Sequence, residues 1–264
     1  MTRESFPASV EAVLLAGGEF KDMPPGEQAP RSKGVLEIGG VPMAARALRA
    51  LKESPAISRI IMVSSIPKDE LEGPWWDAVD VVVPAGERLI DSFKVGLEAV
   101  LDPTVPALVA AGDLPLLTAE SVTDYVARCR ARSDYSVWYG CLRKENSEAG
   151  FPGVRRTYAK LAEGTFCGAG LFMSRPETLT TLYQALTNLT YARKQPWKLA
   201  SQLGWDVIGS FLLGRLTIAH AERGMRGLLG GTPCAAVETP YPETAFNVDD
   251  AESLLQARQF LEVR

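Results

Sequence analysis

The sequence predicts an α/β protein built on a mainly parallel sheet with helices on both faces, and three observations carry that expectation. Short apolar runs at 11–16, 59–64, 79–83 and 107–111 are bounded by chain-breaking or polar residues, as buried strands are. Helix-period patterns at 43–53, 88–101 and 118–131 follow these runs. Strand and helix therefore alternate as far as residue 131, the mark of strand–helix–strand units rather than hairpins.

Taken in order, the first strand runs Glu11-Ala-Val-Leu-Leu-Ala16 and stops at Gly17-Gly18. In the first helix Met43, Ala47, Leu48 and Leu51 share a face, and Thr118 with Ser121 can cap the third. From Ser133 the alternation ends. A strand at 135–142, a polar loop rich in Arg, Glu and Gly, a strand at 167–173 and helices from 176 to 227 are expected, with Trp197 and Trp205 in the core. Residues 233–237 and 244–248 read as strands returning to the sheet, and 251–263 as a closing helix, apolar at Leu254, Leu255, Phe260 and Leu261. The expected organisation is one domain over 1–264, with a core of 11–131 and 233–262 enlarged by a basic, largely helical insertion at 143–227.

Composition narrows the function. With 264 residues, 46% hydrophobic and 23% charged, the chain is neither disordered nor fibrous. Four cysteines at 129, 141, 167 and 234 form no C-x-x-C pair, which predicts reduced thiols and a cytoplasmic protein. A single histidine, His220, argues against zinc and against a Ser-His-Asp triad. No apolar run is long enough to span a bilayer, and a net charge of -4 argues against nucleic acid. That total hides an asymmetry: Arg143 to Arg226 holds 12 Lys and Arg against 6 Asp and Glu. Such a segment is either a solvated face or a surface for an anionic ligand.

Three segments can carry chemistry. Leu15-Ala16-Gly17-Gly18, followed by a loop to Lys33, can bring backbone N–H groups and an ammonium to an anion, although a plain strand-ending turn has the same composition. Gly112-Asp113-Leu-Pro delivers a carboxylate to the C-terminal end of a strand, where it either holds Mg²⁺ or caps a turn. Asn247 and Asp249, two residues apart in an extended stretch, face the same way and can meet one metal. Asp249 or Asp250 can equally cap the final helix.

These segments, with Lys33-Gly-Val-Leu-Glu-Ile-Gly-Gly-Val-Pro-Met43, together resemble the MobA-like nucleotidyltransferases, a superfamily that includes molybdenum-cofactor guanylyltransferases and methylerythritol-phosphate cytidylyltransferases. The resemblance implies a Rossmann-like, GT-A-like sheet and transfer of a nucleoside monophosphate from a nucleoside triphosphate to an acceptor. Ala85, Gly86, Arg88 and Ser92 are similar to the cytidylyltransferase base-binding block, although an exposed loop and a helix cap offer a second reading of Ser92. The middle of the chain resembles an uncharacterised bacterial branch. The family's short Arg-Met-Gly turn is missing; a longer, Pro-rich loop from Glu19 to Ser32 stands there, with Arg31 and Lys21 as candidates for the absent arginine.

On this resemblance Leu15, Ala16, Gly17, Gly18, Gly112 and Lys33 bind the nucleotide, and Asp113 with Asp249 and Asn247 holds Mg²⁺. Lys33 and Asp113 are the expected catalytic residues. Arg155, Arg156 and Lys160 are expected to receive a small anionic or phosphorylated acceptor. A molybdenum-cofactor guanylyl- or cytidylyltransferase and a nucleotide-binding module without turnover are the competing readings; a homo-oligomer is left open.

Overall fold

A computed structural model of the chain describes residues 6–20, 22–192 and 205–262. In chain order, β1 (Val10–Leu15) leads through a 3-10 turn at Lys33–Val35 to a small hairpin of β2 (Glu37–Ile38) and β3 (Val41–Pro42). There follow α1 (Met43–Glu53), β4 (Ile57–Ser64), β5 (Val81–Pro84), α2 (Leu89–Glu98), β6 (Ala107–Ala111) and α3 (Ala119–Arg130). The second half runs β7 (Val137–Arg143), α4 (Lys144–Gly150), β8 (Ala159–Leu161), β9 (Gly164–Ser174), α5 (Leu179–Ala192), α6 (Trp205–Leu212), α7 (Ile218–Leu228), β10 (Cys234–Thr239) and α8 (Ala251–Glu262).

The main sheet has the order β10-β7-β9-β6-β1-β4-β5, with β8 added alongside β9. Its pairings are parallel except where β9 meets its neighbours. Leu15 stands in register with both Val63 and Ala111, so the turns after β1, β4 and β6 open on one edge. Because β9 runs the other way, its first residues rise at that same edge, where Leu142 pairs with Cys167. The segment that begins at residue 143 thus supplies a strand in the middle of the sheet as well as helices.

Apolar periodicity places the helices. Ala47, Leu48 and Leu51 of α1 pack with Val122, Tyr125 and Val126 of α3 on one face; Phe93 and Leu97 of α2 pack with Leu179 and Leu182 of α5 on the other. Thr118 caps α3, accepting from Ser121 N–H at 3.2 Å, as its position in the sequence predicts. A third cluster lies beneath α8, where the rings of Phe151, Phe246 and Phe260 stand 4.9 to 5.7 Å apart.

Three expectations need correction. Residues 244–248 form no strand: Pro242–Ala245 is a 3-10 turn, held by Thr244 Oγ1 donating to Tyr241 O at 2.7 Å. Beyond it Val248 N–H donates to Asp113 O, a contact with a loop in place of a sheet ladder. Leu255 is exposed on the outer side of α8 while Leu254 is buried. The polar stretch after β7 is helical at α4. Trp197 and the Trp205 side chain lie outside the described residues.

All four cysteines are free and buried, and burial pushes the Cys141 and Cys234 thiols up to about 11. No described helix is long and apolar enough to cross a membrane. Phe246 adjoins Asn247 and is completely buried, so Phe246→Ala should lower stability by about 3–5 kcal/mol in urea titration. A loss below 1 kcal/mol, on the order of an ordinary surface substitution, would show that the ring cluster does not hold this stretch.

Candidate active site

The turn after β1 is built by hydrogen bonds that use up part of its backbone. Ala16 N–H continues the sheet by donating to Val63 O at 2.8 Å, and Gly18 N–H donates to Ser65 Oγ at 3.3 Å. Ala16 was expected to offer its amide to a phosphate; the sheet claims it instead. The Gly17 N–H has no hydrogen-bond partner among the described residues. Gly18 has φ of 102°, a region that glycine enters without steric cost.

Lys33 is brought back onto this turn by contacts that the sequence reading did not anticipate. Ser32 is 1% exposed and its hydroxyl donates to Ala16 O at 3.2 Å and to Gly18 O at 3.3 Å. Lys33 N–H donates to Gly18 O at 2.9 Å. The next residue must be glycine: a Cβ on Gly34 would lie 2.4 Å from Ala16 O. A similar approach joins β6 to β1, since Gly112 N–H donates to Leu15 O at 2.9 Å and a Cβ there would lie 2.7 Å from that oxygen.

These close contacts gather charges that are remote in sequence. Lys33 Nζ lies 2.6 Å from Asp113 Oδ2 and 2.5 Å from Asp249 Oδ1. Asn247 Nδ2 donates to the other oxygen of Asp113 at 2.7 Å. Burial disfavours the Lys33 ammonium, but Asp113 and Asp249 outweigh it, and the net effect raises the lysine pKa. Asp250 resolves the choice of cap: its Oδ1 accepts from Ser253 N–H at 2.8 Å at the start of α8, which leaves Asp249 turned toward Lys33.

The base-block residues lie beside the turn, with separate duties. A Cβ on Gly17 would come 2.8 Å from the Ala85 Cβ, and Ala85 N–H donates to Ser64 O at 2.9 Å. Ser92 is no helix cap: it is buried within α2 and accepts from Gly86 N–H at 3.0 Å, which folds the loop onto the helix. Arg88 occupies the N-cap position of α2, where its backbone N–H donates to Asp91 Oδ2 at 3.2 Å, and its side chain binds Asp91 through Nε and Nη2, each at 2.8 Å, and Tyr183 Oη through Nη2 at 2.7 Å. Bonds from Arg88 and Tyr183 hold the Asp91 carboxyl well below the usual carboxylate range. Tyr183 carries no motif around it and could not be found from sequence.

Next to the charge cluster is a cleft of about 440 Å³, lined among others by Arg155, Arg156, Cys167, Gly168, Asn247, Asp249 and Ser253. Arg156 lies over the Phe246 ring, 5.7 Å from its centroid, and its Nε and Nη2 are buried without a hydrogen-bond partner. Burial lowers its pKa. Arg155 is largely exposed, 4.0 Å from Glu252. Lys160 is exposed on β8 and does not line the cleft. Arg31 points to Glu70 at 2.5 Å; Lys21 lies outside the described residues.

The chain matches the MobA-like NTP transferase domain over residues 12–229. It is similar to a hypothetical transferase from Thermus thermophilus, 32% identical, with a TM-score of 0.77 over 93% of this chain and 99% of that one. It also shares its fold with a CMP:2-keto-3-deoxy-manno-octonic acid synthetase complexed with CTP, 15% identical with a TM-score of 0.57, covering 97% of this chain and 99% of that one. A 4-diphosphocytidyl-2C-methyl-D-erythritol synthase from Anaerococcus prevotii is 12% identical with a TM-score of 0.58, covering 96% of this chain and 98% of that one. No curated protein sequence matches. The chain belongs to the MobA-like NTP transferase family, and carries its nucleotidyltransferase domain on the Rossmann-like sheet described above.

The contact at Gly34 gives a direct check on this architecture. Gly34→Ala must push the Lys33 turn away from Ala16 O, so the melting temperature should fall. A wild-type melting temperature in thermal denaturation would refute the close packing as a requirement.

Proposed function

We propose that the protein transfers a nucleoside monophosphate from a nucleoside triphosphate to a small anionic or phosphorylated acceptor and releases pyrophosphate. The observation that carries this reading is the convergence of Lys33, Asp113 and Asp249 between the glycine turn and the basic cleft. Substitution at the α-phosphorus requires that acceptor oxygen, phosphorus and leaving oxygen be aligned and that charge be neutralised; no covalent nucleophile is needed.

The residues present fit Mg²⁺. Two carboxylate oxygens already converge on one cationic atom, and hard oxygen donors of this kind suit Mg²⁺, which completes its shell with phosphate oxygens and water. No group of three or more His, Cys, Asp or Glu suited to a metal occurs among the described residues. Asp113 and Asp249 would hold it and Asn247 would fix the orientation of Asp113; when bound, the ion supplies charge neutralisation to the phosphates.

The chain's own groups supply the rest. The Gly17 N–H would donate to a phosphate oxygen, Lys33 would offset charge close to the α-phosphate, and the 84–88 loop beside Gly17 would receive the base. Arg156 supports an anionic acceptor: a partly buried guanidinium with unpaired N–H groups is costly unless an anion completes it. Its stacking on Phe246 fixes the position of that charge near Asn247 and Asp249.

Thermal shift over the four nucleoside triphosphates, with and without Mg²⁺, should single out one nucleotide by its stabilisation. Pyrophosphate release should then require Mg²⁺ and a member of a panel of sugar, polyol and cofactor phosphates. Stabilisation by nucleotide without pyrophosphate release from any acceptor would replace the enzyme with a binding module. Asp113→Asn should cut turnover by roughly 100-fold or more with unchanged circular dichroism, and retained activity would remove Asp113 from the site. Arg156→Met should raise the acceptor KM by about tenfold or more and leave the nucleotide KM near wild type.

A further inference from the structure

The place where two carboxylates would hold a metal is already held by an ammonium. Lys33 Nζ contacts Asp113 Oδ2 at 2.6 Å and Asp249 Oδ1 at 2.5 Å, and its side chain is only 15% exposed. The second Asp113 oxygen is engaged by Asn247. In the free protein an internal cation therefore offsets part of the charge of the carboxylate pair.

The two ends of that lysine differ in freedom. Its backbone is pinned by the bond to Gly18 O and by the Ser32 hydroxyl on Ala16 O and Gly18 O. Its stem has four rotatable bonds and starts from the same hydrogen-bonded knot as the Gly17-Gly18 turn. A swing of the side chain alone can thus carry the ammonium from the carboxylates toward an anion bound at that turn.

A divalent ion and an ammonium repel at contact distance, so one carboxylate pair cannot hold both in the same place. Metal entry requires Lys33 to leave, and a part-buried ammonium that leaves without a new anion loses its compensation. Nucleotide phosphates provide that anion. We propose that Lys33 is an exchangeable internal cation, which occupies the carboxylate pair in the free protein and yields it to a divalent ion when phosphates take over its ammonium. Metal and nucleotide then bind with positive coupling, and the coupling is reciprocal. The inference rests on the nucleotidyl-transfer reading for the identity of the second ligand; its metal half is measurable without turnover.

The test is Mn²⁺ binding, followed by the electron paramagnetic resonance of the free ion in the absence of nucleotide. Lys33→Met and Lys33→Gln should bind Mn²⁺ at least about fivefold more tightly than wild type, and adding Asp249→Asn should abolish the gain. Equal or weaker Mn²⁺ affinity in a variant with native circular dichroism overturns the proposal. A second measurement uses wild type alone: equilibrium dialysis of the most stabilising nucleoside triphosphate in EDTA and in Mn²⁺. Affinity should rise at least about fivefold with Mn²⁺, and an unchanged affinity overturns the proposal whether or not the variants fold. If both Mn²⁺ results hold and pyrophosphate is never released, the exchange stands and the transferase reading falls.

Discussion

Two carboxylates at the edge of a sheet repel each other, and the ammonium of Lys33 is what allows Asp113 and Asp249 to stand together. Much of the surrounding structure serves that contact. Gly34 and Gly112 remove Cβ atoms that would keep Lys33 and Asp113 away from β1, and Ser32 bonds the lysine turn to the glycine turn. On the far side, Val248 N–H binds Asp113 O and the Phe151, Phe246 and Phe260 rings fix the stretch that carries Asn247 and Asp249. The charge cluster is small, but it joins the first, middle and last parts of the chain.

Sheet order gives the cluster its neighbour. Parallel β1, β4 and β6 present their C-terminal ends on one edge, the usual place for ligands in such sheets. The antiparallel course of β9 brings Cys167 and Gly168 to that edge, so the basic cleft opens beside the proposed phosphate site and not on the opposite rim. An antiparallel strand inside an otherwise parallel sheet thus places the cleft and the glycine turn side by side. Arg156, poised over Phe246, stands on the side proposed for the acceptor, while Gly17 and the 84–88 loop stand on the side proposed for the nucleotide.

Much of the fold was legible because its signals are local. The apolar runs of β1, β4 and β6 and the stripe Met43, Ala47, Leu48, Leu51 are patterns that burial on a sheet or one helix face imposes directly. Local signals mislead where a stretch takes its conformation from distant partners. Residues 244–248 have strand-like composition, but Thr244 turns back on Tyr241 and Val248 pairs with Asp113, so no ladder forms. The outward turn of Leu255 follows from which side of α8 meets the Phe cluster. In the site, Asp113, Asp249 and Lys33 stood out by residue type and position, whereas Ser32 and Tyr183 act only through hydrogen bonds to residues far along the chain.

By itself the sequence determined the strand and helix alternation, the membership in a nucleotidyltransferase family and the set of charged residues available for chemistry, because periodicity and short motifs are properties of neighbouring residues. Tertiary structure decided which of those charges meet. Lys33 and Asp249 are 216 positions apart, and only the parallel register, the glycine contacts and the aromatic support of 247–249 place them at 2.5 Å. The same packing commits the Ala16 amide to the sheet, takes the Arg88 side chain to Asp91 and leaves Arg156 facing the cleft with unpaired donors. Hydrogen bonding and burial, unlike periodicity, are settled between residues that the chain itself keeps apart.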